Sequence, residues 1–210
     1  MRLSLILSVA LLLGVTACSR FNRGDLPEPD HDGPLYPDIV EEFEILPVMR
    51  WDHRPEASQW TDSAMRAVLA GAGQPLTRMV PSDIATWCPT YPNNGTELRA
   101  SFWVGLLSAM AKHESTWNPA AVGGGGQWFG LVQISPATAR GYGCGATSGE
   151  ALKDGAANLS CAVRIIANTV PRDGVVAAGS RGVAADWGPF HSASKRADMA
   201  AWTTQQAYCR

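Results

Sequence analysis

The chain reads as a mainly α domain with a small irregular β-hairpin or loop lining a groove. Three observations predict this. Apolar residues recur at three- and four-residue steps in several separate stretches, while strand-like alternation is scarce. Helix start and stop signals punctuate those stretches. The densest glycine run, Gly123 to Gly126, lies between two of them and leads into a short apolar segment.

Residues 1–17 read as a signal peptide. Arg2 supplies a positive start, and Leu3 to Val15 form an apolar core broken only by Ser4, Ser8 and Gly14. At about thirteen residues this core is too short to span a bilayer as a helix. Residues 18–50 read as a tether. Pro27, Pro29, Pro34, Pro37 and Pro47 are interspersed with Asp25, Glu28, Asp30, Asp32, Asp38, Glu41, Glu42 and Glu44. Proline favours extended backbone and the acids repel one another, so the segment is stiffened and packs poorly. The alternative is an ordered arm over 35–50, where Leu35, Tyr36, Ile39, Phe43 and Ile45 occur. Residues 51–210 remain as one catalytic domain, long enough for a substantial core.

Within that domain the first helix is expected from Thr61 to Ala70, with Thr61 as N-cap and Gly71 and Gly73 as stops. The second runs from Gly95 to His113. Leu98, Phe102, Trp103, Leu106, Leu107 and Met110 recur at helical spacing, which predicts one apolar face. Asn118-Pro119 should end it, because the residue before proline leaves the helical region. A hairpin is expected around 122–134. Ser135 and Pro136 suit the N-cap and N1 positions of a third helix. A fourth, from Asp154 to Val170, shows Leu159, Val163, Ile166 and Val170 on one face and should stop at Pro171. The last, from Ser194 to about Tyr208, carries Met199 and Trp202.

Glu114 is the candidate catalytic residue. It lies four residues after Met110 and seven after Leu107, on the predicted apolar face at the helix's C-terminal end. Desolvation and the negative end of the helix dipole both oppose its ionisation there. A carboxyl still protonated near neutral pH is what a general acid in glycoside cleavage requires.

Glu114-Ser115-Thr116-Trp117-Asn118-Pro119, followed by Gly130-Leu131-Val132-Gln133-Ile134-Ser135-Pro136-Ala137-Thr138-Ala139, resembles the soluble lytic transglycosylase domain over roughly residues 98–190. That resemblance implies a lysozyme-like fold acting on peptidoglycan glycan strands without a cofactor or metal. It implies cleavage of the MurNAc–GlcNAc β-1,4 bond by Glu114 as single acid/base, helped by the sugar's N-acetyl group. The C6 hydroxyl of the same sugar attacks, leaving a 1,6-anhydro-MurNAc end. The lack of a second acid in the motif region agrees, since the nearest after Glu114 are Glu150 and Asp154. Gln133 matches the family's cleft glutamine, the alternative being a turn-stabilising role. Trp117, Trp128 and Trp187 are candidate sugar-stacking surfaces. Ser115 is expected to support the backbone.

The sequence departs from the family pattern in three places. Val132 stands where methionine is usual, Gly123 to Gly126 replace serines, and Ala184-Ala185-Asp186-Trp187-Gly188 lacks the tyrosine that bonds the catalytic Glu. Tyr142, Tyr91 and Trp187 are candidates to replace it.

Val15-Thr16-Ala17-Cys18 is similar to the lipobox of bacterial lipoproteins, which implies a lipid on Cys18 and anchoring to a membrane. Ser19 after the cysteine implies the outer membrane, facing the periplasm, with cell-wall or secretion machinery as compatible partners. Cys88, Cys144, Cys161 and Cys209 remain, an even number suited to an oxidising compartment. Of the three pairings open to them, Cys144–Cys161 with Cys88–Cys209 is favoured, free thiols being the alternative.

Other classes fit badly. No Lys/Arg cluster occurs, which disfavours nucleic acid. No Gly-Lys-Ser/Thr follows the glycines, and position 117 is Trp where a zinc protease needs a second His. Two rivals stand beside the transglycosylase reading. One is a lysozyme-type hydrolase on the same fold, and the other a catalytically weak peptidoglycan-binding lipoprotein.

Overall fold

A computed structural model describes residues 46–210. The expectations for the signal peptide, Cys18 and the tether up to residue 45 lie outside the described residues. The described part contains α1 (Ala57–Leu69), α2 (Gln74–Arg78), α3 (Ile84–Trp87) and α4 (Thr96–Glu114). A hairpin of β1 (Val122–Gly123) and β2 (Trp128–Phe129) follows, then α5 (Pro136–Gly141) and α6 (Gly155–Asp173). A second hairpin of β3 (Ala177–Ala178) and β4 (Arg181–Gly182) precedes α7 (Ala193–Thr204). Both hairpins are antiparallel, with Val122 opposite Phe129 and Ala177 opposite Gly182.

Helix α4 is the axle. Every residue from Ala100 to Ala111 is buried, and α1, α2, α7 and the terminal turn Ala207–Cys209 pack around it. This corrects the expected single apolar face. Small residues on the other sides, Gly105, Ser108 and Ala109, let neighbours approach all round, whereas Leu98 is 47% exposed. A helix covered on all sides needs no polar stripe, so its periodicity misleads.

Local signals fared unevenly. Ser135 caps α5 by accepting from the Thr138 N–H, with Pro136 in the first turn. Asp154 caps α6 by accepting from Ala157. Thr61, in contrast, is no N-cap. It sits buried inside α1, where its hydroxyl accepts from the Trp51 indole at 2.9 Å and donates to the Ala57 carbonyl. Trp51 and Trp60 meet edge to face there, so this threonine fills the core between α1 and the entering chain. Pro171 does not stop α6 either. The helix continues to Asp173 and ends at left-handed Gly174, whose N–H donates to the Val170 carbonyl. Residues 46–50, assigned to the tether, are already attached. Met49 is buried, and the Arg50 N–H donates to Ser108 Oγ inside α4.

Both favoured disulfides are present. Cys88–Cys209 spans 121 residues and ties the C-terminal turn to the segment before α4, and Cys144–Cys161 staples the loop after α5 onto α6.

Candidate active site

Glu114 is the last residue of α4, and the chain leaves it sharply. Ser115 caps the helix, then Thr116 and Trp117 adopt left-handed φ of 53° and 57°, unusual for residues with side chains. The Asn118-Pro119 stop signal therefore acts later than the actual helix end. The Ser115 hydroxyl donates to the Leu131 carbonyl at 2.7 Å, joining the helix end to the Gly130–Gln133 strap. This is the backbone-supporting role expected of it.

That strap is itself held from two sides. Asn158 of α6 is fully buried, accepts from the Val132 N–H, and donates to the carbonyls of Phe129 and Leu152. From the far side, the Trp187 indole donates to the Val132 carbonyl at 2.7 Å. Gly130 is required here. Its φ is +83°, and a Cβ would run into the Leu152 carbonyl and the Asn158 amide.

Helix end, strap, hairpin and the start of α7 enclose a groove of about 410 Å³. Its lining includes Glu114, Trp128, Gln133, Asp186, Trp187 and Lys195. Burial pushes the Glu114 carboxyl up to about 7, and the Lys195 ammonium opposes that rise. Among the described residues no donor hydrogen-bonds this carboxyl, so nothing local favours its charged form except Lys195. A desolvated acid at a groove wall can deliver a proton at neutral pH and take one back.

Gln133 lines the groove and takes the turn-stabilising role. Its φ is +51°, and its amide donates to the Gly130 and Ala121 carbonyls at 2.9 and 3.3 Å, which braces the turn. Its carbonyl oxygen faces Gly123, where any side chain would displace it. That oxygen remains available to accept from a ligand in the groove.

The tryptophans divide. Trp128 lies on β2, 46% exposed, and covers Gly124 at the groove rim. Trp187 is only 4% exposed and lines the same space. Trp117 does not line the groove. Its indole donates to the Ser108 carbonyl and its ring packs edge to face on His53, on the other side of the helix end.

None of the three candidates for the missing tyrosine hydrogen-bonds Glu114. Tyr91 is buried, donating to Leu76 and accepting from Trp103. Tyr142 donates to Asp186 at 3.2 Å, and the Trp187 indole is spent on Val132.

Three charged residues escaped sequence reasoning. Asp186 brings a second carboxyl into the groove, and burial, its main influence, raises it above the ordinary aspartate range. Lys195 enters from α7. Asp198, also on α7, binds Arg50 through both oxygens, Lys112 at 3.0 Å and His113 at 2.7 Å. Only Asp186 carried a local signal, its place in the Ala-Asp-Trp-Gly run.

Comparison with known proteins agrees with this architecture. Residues 92–178 match the family model described as the transglycosylase SLT domain. Solved structures of Bd0314 DslA superpose on the chain at 26% identity. One glutamate-to-glutamine mutant gives a TM-score of 0.71 over 79% of this chain and 100% of that one. A second such mutant gives 0.70 over 79% and 98%, and a wild-type form 0.66 over 78% and 98%. No curated protein matches the sequence. The fold is thus lysozyme-like and mostly helical. Residues 92–178 are similar to the transglycosylase SLT domain, which supports a function of the type that acts on peptidoglycan glycan strands.

Proposed function

We propose that the protein is a lytic transglycosylase that cleaves the MurNAc–GlcNAc β-1,4 bond of peptidoglycan with Glu114 as its only acid/base. The observation that carries this reading is the Glu114 carboxyl. It is half-buried at the groove wall, raised to about 7, and no donor hydrogen-bonds it among the described residues. Protonated, it delivers its proton to the glycosidic oxygen as the C1–O bond breaks. The substrate's N-acetyl carbonyl supports C1, with Gln133 placed to accept from the acetamido N–H. The resulting Glu114 carboxylate then takes the proton of the C6 hydroxyl while O6 bonds to C1. Glu114 ends protonated, the muramic acid ends as its 1,6-anhydro form, and no water is consumed. Trp128 and Trp187 supply apolar surface for the sugar rings.

One observation favours a second reading. Asp186 places another carboxyl in the groove, and a carboxylate there can activate water, as in a lysozyme-type hydrolase. Product mass decides between them. Peptidoglycan sacculi digested with the purified protein should release muropeptides lighter by one water than the hydrolysed products. Reducing-end products of full mass would establish the hydrolase instead, and an absence of released products would leave a binding protein.

Lipid attachment at Cys18 and an outer-membrane position facing the periplasm are part of the same proposal. They rest on the sequence of residues 1–19 alone. Mass spectrometry of the mature protein tests them, since an unmodified Cys18 would overturn the anchor.

A further inference from the structure

The sugars of a glycan strand are neutral except at one place, yet the groove carries an ammonium that forms no ion pair among the described residues. Lys195 stands in the first turn of α7 and lines the groove with Glu114. Among the described residues none of the ion pairs includes it. The nearest acid on its own helix, Asp198, is already occupied by Arg50, Lys112 and His113. Glu114 is a poor counter-ion, because it holds its proton until about pH 7. Asp186 lines the same groove but is hydrogen-bonded by Tyr142, not by Lys195.

The single acid on the sugar backbone is the lactyl carboxyl on O3 of muramic acid. It is an anion when free and a neutral amide once a stem peptide is attached. It sits on the same ring as the C1 atom whose bond Glu114 breaks, so it falls within one sugar's width of that residue. We propose that Lys195 binds the free lactyl carboxylate of muramic acid, and so biases the protein toward glycan strands whose stem peptides have been removed. This inference rests on the transglycosylase reading for its substrate. Stem peptides end in carboxylates of their own, and the test separates that source from the lactyl group.

The test measures binding of GlcNAc–MurNAc tetrasaccharides to the full chain carrying Glu114→Gln, so that turnover plays no part. Three preparations are compared: peptide-free with the lactyl carboxylate, peptide-free with that group capped as its methylamide, and with stem peptides intact. The free lactyl form should bind about fivefold tighter than the other two, the range expected of a partly exposed charged hydrogen bond. Adding Lys195→Gln should erase the difference, and Lys195→Arg should keep most of it. Equal binding of the capped and free forms overturns the inference. So does a stem-bearing form that binds as tightly as the free one and loses as much on Lys195→Gln, which would make the peptide the ligand. The alkaline limb of activity should also rise in the Lys195→Gln protein, because a cation near Glu114 is lost. A raised limb with unchanged discrimination would show that Lys195 acts on Glu114 alone, which again overturns the inference. If no preparation binds at all, the transglycosylase reading falls as well. If all bind alike, only the lactyl site falls.

Discussion

His113 Nε2 donates to the Asp198 carboxylate at 2.7 Å, across 85 residues of sequence. The same carboxylate accepts from Lys112 and from both terminal guanidinium nitrogens of Arg50, and Arg50 above all holds it well below the ordinary aspartate range. The last turn before Glu114 is therefore clamped to α7 and to the entering chain through one acid.

Replacing that acid should loosen the site as well as the fold. Asp198→Asn should lower stability by about 1–2 kcal/mol, since it leaves three donors with a weaker partner. It should reduce kcat more than it raises KM, because the clamp positions Glu114 and touches no substrate. The folded pKa of Asp198 is depressed, so its contribution is present above its unfolded value near 3.8 and is lost as pH falls through the folded value. Thermal melts of wild type and variant should therefore converge on acidification below that value. A constant gap down to strong acid would contradict the assignment.

Glu114→Gln should retain the melting profile and sugar binding yet lose turnover by about a hundredfold or more, the usual share of general acid–base catalysis. Steady-state rates on sacculi measure this, and a loss under about tenfold would remove Glu114 from the role.

The pH dependence follows from the same carboxyl. The working form is protonated, so kcat/KM should be high in mild acid and fall on an alkaline limb near 7. For stability the sign is that of a raised acid. The contribution is fully present below the unfolded value of about 4.5 and is lost as pH rises through about 7. A shift of this size corresponds to roughly 3 kcal/mol at most. Glu114→Gln should accordingly be the more stable protein at pH 8, with the advantage shrinking toward pH 4. An alkaline limb at the ordinary glutamate value would show that the acid is not desolvated.

The two groove tryptophans should separate by role. Trp187→Ser opens a nearly closed wall, admits water beside Glu114 and should move the alkaline limb to lower pH. Trp128→Ala removes an exposed surface and should raise KM with little movement of the limb. If both variants shift the limb equally, the difference in their burial has no bearing on the acid.

Sequence alone carried those features whose cause is local. Ser135-Pro136 is a cap wherever it lies, and a glutamate at the end of an apolar helix is desolvated whichever element covers it. The hairpin over 122–129 needed only its glycines. What failed was set by partners distant in sequence. Thr61 looked like a cap because nothing nearby shows that Trp51 folds back onto its hydroxyl. Trp117 was assigned to the groove on proximity to Glu114, but two left-handed residues turn it toward His53. Lys195 and Asp198 carry no motif, and only the packing of α7 on α4 makes them neighbours of the acid.

The disulfides should differ in worth. Cys88–Cys209 closes a loop of 121 residues and Cys144–Cys161 one of 17. Chain-entropy arguments then make the first worth roughly 1–2 kcal/mol more. Denaturant titration of Cys88→Ala/Cys209→Ala against Cys144→Ala/Cys161→Ala measures this, and a larger loss from the second pair would contradict the ordering.

Covering Ala100 to Ala111 on every side also decides how the protein fails under heat. An acid carried on a surface loop can be lost by local fraying while the rest of the fold survives. Here the residue before the acid's turn belongs to the segment with the least access to solvent, which opens only when the neighbouring helices separate. Inactivation and global melting should coincide, and the amides of Ala109 to Ala111 should be among the last to exchange with deuterium.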